Sequence, residues 1–144
     1  MAGVDGYKLT DLGNALDSQT EGQILEAVQS REGGPGSFLD ELFNGMCSSF
    51  DGETAGDQEG MVRYEIGTPE GVYSYTVRIA DRRCTAEHGG VGDPRATISI
   101  GLVDFLRLRT GKLNGMQAFI TGRIKVTGDL LFTQSLQGWF KAAI

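Results

Sequence analysis

Very few side chains in this sequence have the chemistry to transform a substrate. His88 is the only histidine, so it is the one group whose ordinary pKa suits general-base work near neutrality. Its place at the end of an alternating segment reads more simply as an exposed strand-end residue. Gly89-Gly90-Val91-Gly92 has the glycine content of a phosphate cradle, but no lysine or helix start follows it. It is read as a flexible hairpin connection. Asp51, Glu53, Asp57 and Glu59 offer oxygen donors for calcium at a spacing that no EF-hand loop uses, which leaves a solvated acidic loop. Arg78, Arg82, Arg83 and Arg95 form a local basic cluster whose plain reading is a solvated strand face paired with nearby carboxylates. Cys47 and Cys84 are too few for a disulfide framework, and in a reducing compartment they are expected as small, partly buried thiols. A lone histidine cannot anchor zinc. Gly-x-Ser-x-Gly, His-Glu-x-x-His and Walker spacings are all missing. The expectation is a protein that is not an enzyme and that uses no metal and no cofactor.

The elements around these residues are legible from hydrophobic period. Residues 1–20 are polar with little periodicity, an adaptable extension preceding a domain over 21–144. Ile24, Leu25 and Val28 recur at helical spacing in Glu21 to Ser30, and Glu32-Gly33-Gly34-Pro35-Gly36 should break that helix. Ser37 can then cap a second one, with Glu41 near the capping-box position and Phe38, Leu39, Leu42, Phe43 and Met46 as its apolar stripe. From Met61 the period becomes two. Val62, Tyr64 and Ile66, a turn at Thr68-Pro69-Glu70-Gly71, then Tyr73, Tyr75, Val77 and Ile79 predict a hairpin. Arg83 to His88 and Ala96 to Ile100 add two strands. Leu102, Phe105, Leu106 and Leu108 return to helical spacing up to Thr110-Gly111, and Met116 to Ile120 forms a short helix. Arg123 to Thr127 supplies a fifth strand. After Gly128-Asp129, Phe132, Leu136, Trp139, Phe140 and Ile144 mark a last amphipathic helix. The fold class is α+β: a five-stranded, mainly antiparallel sheet with helices on one face.

Bulk properties narrow the function further. At 144 residues the chain is one domain and should bury roughly 68–70% of its unfolded surface. Nineteen acidic against thirteen basic residues give a net charge of -6, a field that repels nucleic acid and anionic headgroups. No apolar run reaches the roughly 20 residues that span a bilayer, and Met1 to Gly6 lacks a secretory pattern, so a cytoplasmic protein without stable membrane insertion is expected. The terminal Lys141-Ala142-Ala143-Ile144 is not a peroxisomal Ser-Lys-Leu type address.

Apolar side chains are concentrated in the last forty or so residues, where Phe105, Met116, Phe119, Ile120, Leu130, Leu131, Phe132, Leu136, Trp139 and Phe140 all lie on short helical segments. Packing alone favours an ordinary core, but Met and aromatics flanked by Gly111, Gly115, Gly122 and Gly128 also describe a wall around an apolar guest. Asp104-Phe105-Leu106, Thr110-Gly111-Lys112-Leu113-Asn114, Ala118-Phe119 and Gly122-Arg123-Ile124-Lys125-Val126 running to Gly128-Asp129 resemble the signature of the sterol carrier protein 2 (SCP2) family. A weaker resemblance reaches back to about Phe38. Arg123 stands where a Lys is more usual, and Gly115 where a Pro is common. The resemblance implies an apolar tunnel between sheet and helices that holds fatty acyl chains, sterols or similar lipids. With such a cavity, the ligand contacts expected from the apolar segments are Phe105, Leu108, Met116, Phe119, Ile120, Leu131, Leu136, Trp139 and Phe140. A lipid of about 25 heavy atoms at about -0.3 kcal/mol each would bind near -7.5 kcal/mol, micromolar and reversible, as a carrier requires.

Three functions follow. The first is a non-catalytic carrier of a fatty acyl, sterol or polyketide-like molecule. The second is an accessory subunit that presents apolar intermediates to a biosynthetic enzyme partner. The third is a pocket-based isomerase or cyclase, for which Tyr73, Tyr75, Asp104 and Arg78 are the only acid, base or cationic candidates.

Overall fold

The computed structural model describes residues 9–90 and 92–140. The expectations for Met1 to Gly6, for Val91 and for Lys141 to Ile144 lie outside the described residues. The elements follow in the order α1 (Leu9–Ser18), α2 (Glu21–Ser30), α3 (Gly34–Ser48), α4 (Gly52–Ala55), β1 (Gly60–Thr68), β2 (Gly71–Ala80), β3 (Arg83–His88), β4 (Ala96–Gly101), α5 (Leu102–Arg109), α6 (Gly115–Ile120), β5 (Ile124–Gly128) and α7 (Leu130–Trp139).

The five strands form one sheet in the order β3-β2-β1-β4-β5. β1 pairs antiparallel with β2 and parallel with β4, while β2–β3 and β4–β5 are antiparallel. The α+β class and the mainly antiparallel sheet are as the sequence predicts. Register sets Tyr64 beside both Tyr75 and Ile98, and Ile66 beside Ile100, which aligns the alternating apolar residues of all three strands on one face. That face is buried by the helices. Leu39, Leu42 and Phe43 of α3 are almost fully buried against it. Phe43 stacks on Tyr75 at 4.4 Å between ring centroids and on Phe105 at 5.1 Å, with Tyr64 edge-on at 5.3 Å.

Four local features differ from the sequence reading. Residues 9–18, expected as an extension, form α1, which packs on α2 and α5. Lys112 Nζ to Asp17 at 2.8 Å and Arg107 to Glu21 at 2.9 Å fasten these N-terminal helices to the α5 region. The Gly-Pro cluster begins a helix as well as ending one: Gly33, at φ 86°, makes the turn, and α3 starts at Gly34 with Pro35 in its first turn. A proline there forfeits only an N–H with no helical partner. Ser37 is thus inside α3 and does not cap it.

The Gly89 to Pro94 stretch is a crossover, since β3 is an edge strand and β4 lies beyond β1. Its described residues meet the polar face of the sheet, where the Thr76 hydroxyl donates to Gly89 O at 2.7 Å and Arg63 Nη2 to Gly92 O at 3.1 Å. Gly90 lies close under the Arg63 side chain, where an added Cβ would stand 2.9 Å from Arg63 Nε and would require that side chain to shift.

Cys47 and Cys84 are joined as a disulfide, in place of the thiols expected from their number. The fold supplies what the count could not: α3 crosses β3 and sets the two Cα atoms 5.2 Å apart, although 37 positions separate them in sequence. Reduction should therefore cost about 2–4 kcal/mol of stability and lower Tm by about 10 °C. Thermal melts with and without dithiothreitol, with alkylation and intact mass reporting thiol state, check this; identical melts of the two forms would contradict it.

Candidate functional site

Beneath α5, α6 and α7 the helices stand off from the sheet and leave a cavity of about 370 Å3. That is near the low end of the range for small-molecule sites, about 300–1,000 Å3. Its floor is Tyr64 of β1, Ile98 of β4 and Ile124 and Val126 of β5. Phe105, Leu108 and Arg109 of α5 form one wall, and Leu130, Thr133, Gln134 and Leu136 of α7 form another. Gly111, Leu113 and Asn114 and the α6 residues Gly115, Met116 and Phe119 close a third side, with Met46 and Phe140 completing the lining.

Helix caps hold these walls in place. The Asn114 side chain accepts the Gln117 N–H at 3.0 Å and starts α6. Asp129 accepts the Phe132 N–H at 3.0 Å and starts α7. That backbone bond, opposed by some desolvation and helped by Arg95, holds the Asp129 carboxyl below the usual carboxylate range. Arg95 bonds Asp129 at 3.0 Å and lies over the Phe132 ring at 4.2 Å, so α7 is tied to the start of β4. Gly128, at φ 94°, permits the turn between β5 and α7; a Cβ there would stand 2.5 Å from Arg95 O.

The cavity has a dry end and a wet end. Tyr64, Phe105 and Arg109 are 5%, 1% and 7% exposed, whereas Met116, Phe119 and Leu130 are 43%, 37% and 40% exposed and rim the mouth. Burial pushes the Tyr64 hydroxyl up to about 12, with nearby Arg109 pulling in the other direction, so the phenol stays protonated at neutral pH.

Of the nine residues singled out from sequence, Phe105, Leu108, Met116, Phe119, Leu136 and Phe140 lie together on the lining. Ile120 and Leu131 stand in solvent outside it, 74% and 76% exposed. Trp139 is buried between Phe132, at 5.6 Å, and Phe50, at 6.5 Å, as part of the packing beneath α7. The candidates for chemistry are elsewhere. The Tyr75 hydroxyl donates toward Asp40 Oδ1, at 2.6 Å, and Gly36 O, at 3.0 Å. Asp104 pairs with Arg107 and Arg123, Arg78 is exposed on the polar side, and neither Tyr73 nor any of these lines the cavity. His88 is exposed and stacked on Tyr75 at 4.8 Å. No group of three or more His, Cys, Asp or Glu suited to a metal ion occurs among the described residues. Arg109 is the charged lining residue that sequence reasoning missed. Its signal was available, because position 109 continues the inward helical series 102, 105 and 106.

Sequence comparison gives this arrangement a family. A profile of the SCP-2 sterol transfer family matches residues 47–141, about two thirds of the chain. This chain belongs to that family. The peroxisomal multifunctional enzyme A of Dictyostelium discoideum is 23% identical over 115 residues, 80% of this chain, and the match spans only 23% of that longer protein. Among solved structures, palmitated SCP2L2 of Aedes aegypti is similar with a TM-score of 0.59 at 22% identity, over 69% of this chain and 88% of that one. The sec-alkylsulfatase Pisa1 of a Pseudomonas species has a stretch of similar fold, with a TM-score of 0.65 at 14% identity, over 74% of this chain and 17% of that enzyme.

What this SCP-2 domain can do chemically follows from its lining. Apolar side chains from three helices and the sheet can displace water around a hydrocarbon, and Arg109, Tyr64, Thr133 and Gln134 can orient one polar group. Among the described residues no helix is long and apolar enough to cross a membrane.

Proposed function

We propose that this SCP-2 domain is a carrier that holds a lipid-like molecule in the cavity under α5, α6 and α7 and performs no chemistry on it. The observation that carries this reading is the apolar cavity of about 370 Å3 whose mouth leaves Met116, Phe119 and Leu130 partly in solvent. Exposed large apolar residues around an opening cost solubility and mark a surface that something apolar covers. Phe105, Leu108, Met116, Phe119, Leu136 and Phe140 are the ligand contacts in this reading. The palmitated Aedes relative, with its similar fold, supports a ligand with an acyl chain. No cofactor enters the scheme.

The neutral fluorophore N-phenylnaphthylamine tests it. Titration should give saturable fluorescence enhancement with micromolar affinity, and organic extraction followed by mass spectrometry should recover a co-purified amphiphile. A protein that neither binds the fluorophore nor yields an extractable molecule would end the carrier reading.

A second reading keeps the cavity and adds an enzyme partner to which the cargo is presented. Its support is that the matched stretches make up 23% and 17% of two much longer enzymes.

A further inference from the structure

Resting on the carrier reading, we infer that Arg109 makes this cavity selective for a single-chain amphiphile with an anionic head, bound head-inward, over a neutral ligand such as a sterol or fatty alcohol. Arg109 is the one charged side chain among the described residues that line the cavity. It is carried there by the geometry of α5. Leu102, Phe105, Leu106 and Arg109 are all buried and share one helical face, so the guanidinium is delivered to the position where the stripe calls for an apolar residue. Its Nε and Nη2 are buried from solvent. An ordinary lysine or arginine at a cavity edge reaches its head into water, but this side chain is only 7% exposed.

Buried guanidinium groups bind carboxylate and sulfonate heads in a two-pronged arrangement that a hydroxyl cannot reproduce. With five N–H donors, the group can hold such an anion beside its other contacts. Tyr64, 5% exposed and lining the same cavity, keeps its phenolic proton and can add a donor for the same oxygen atoms. Thr133 and Gln134 on α7 and Asn114 ahead of α6 supply the remaining polar groups of the lining.

Orientation follows from burial. The cation sits with residues 1–7% exposed, and the apolar rim of Met116, Phe119 and Leu130 is 37–43% exposed, so head and tail of the ligand find their complements at opposite ends. The tail then meets the rim, which explains why that rim is apolar at all. The whole chain carries a net charge of -6, so the local positive site also offsets a field that would otherwise repel an anion.

Competition against bound N-phenylnaphthylamine with dodecanoate, dodecanesulfonate and dodecanol provides the test. At least one anion should displace the fluorophore about 10–100-fold more tightly than the alcohol, the range expected of a hydrogen-bonded charge. Whichever anion binds tighter names the head group. Arg109→Met should erase that preference, bringing the anion-to-alcohol affinity ratio to about one, and Arg109→Lys should keep part of it. If Arg109→Met does not fold, carboxyl-labelled dodecanoate on the wild-type protein answers the same question by NMR. A bound carboxyl held by the guanidinium titrates at lower pH than one exposed at the mouth, and an unchanged or raised titration overturns the proposal. Equal displacement by anions and alcohol overturns the Arg109 proposal alone, since fluorophore binding would still stand. Absence of both fluorophore binding and an extractable amphiphile removes the carrier reading and this inference with it.

Discussion

Phe43→Ala is expected to destabilise the protein by about 3–5 kcal/mol, the usual range for truncating a buried aromatic. Phe43 is 1% exposed and is the hub of the aromatic packing, with Tyr75 at 4.4 Å, Phe105 at 5.1 Å and Tyr64 at 5.3 Å. These partners come from β2, α5 and β1, so the ring joins α3 to the strands and to a cavity wall in one place. Collapse around the deleted ring is hindered because Tyr75 is anchored by its hydroxyl to Gly36 O and Asp40 at the start of α3. A loss of this size is a large part of a total stability of about 5–15 kcal/mol. Urea unfolding should show a lower midpoint with an unchanged m-value, and Phe43→Leu should lose much less. A loss below about 1.5 kcal/mol for Phe43→Ala would show that the aromatic cluster is not the centre of the core.

Where a single physical signal dominates, the sequence is a reliable guide to this fold. The stripe Phe38, Leu39, Leu42, Phe43 and Met46 and the alternation of Val62, Tyr64 and Ile66 are buried as their periods require, and Asp129 caps α7 as its position predicts. Where two signals compete, local reading falters. Gly33-Gly34-Pro35 is both a break and a helix start, and only the left-handed turn at Gly33 shows which residue does which. The Cys47–Cys84 bridge depends on α3 lying across an edge strand, a non-local fact. The cavity was legible in part. A high density of apolar residues pointed to the right segments, but the same chemistry serves three fates there: lining for Phe119, packing for Trp139 and solvent exposure for Leu131. Period alone does not separate those fates, because each depends on how far α6 and α7 stand from the sheet. Arg109 shows the opposite case, a polar residue at an apolar phase of the helix, which is information that composition averages away.

Phe119→Asp is expected to weaken N-phenylnaphthylamine binding by about 10–100-fold while leaving the fold intact. Phe119 lines the cavity yet is 37% exposed, so its ring does more for a guest than for the core, and its removal costs little packing. The new carboxylate would be hydrated in the empty protein and would have to lose water when an apolar molecule enters. That desolvation, at about 1–3 kcal/mol for a polar group in a protein setting, falls on the bound state alone. Val72→Asp is the matched control, since Val72 is 66% exposed at the β1–β2 turn and is not part of the cavity lining. Both variants should melt close to the parent, because exposed substitutions usually shift stability by no more than about 0.5 kcal/mol. Only the α6 variant should lose binding. If both bind the fluorophore as the parent does, the ligand enters somewhere other than between α6 and α7, and the apolar rim at Met116, Phe119 and Leu130 has no part in its capture.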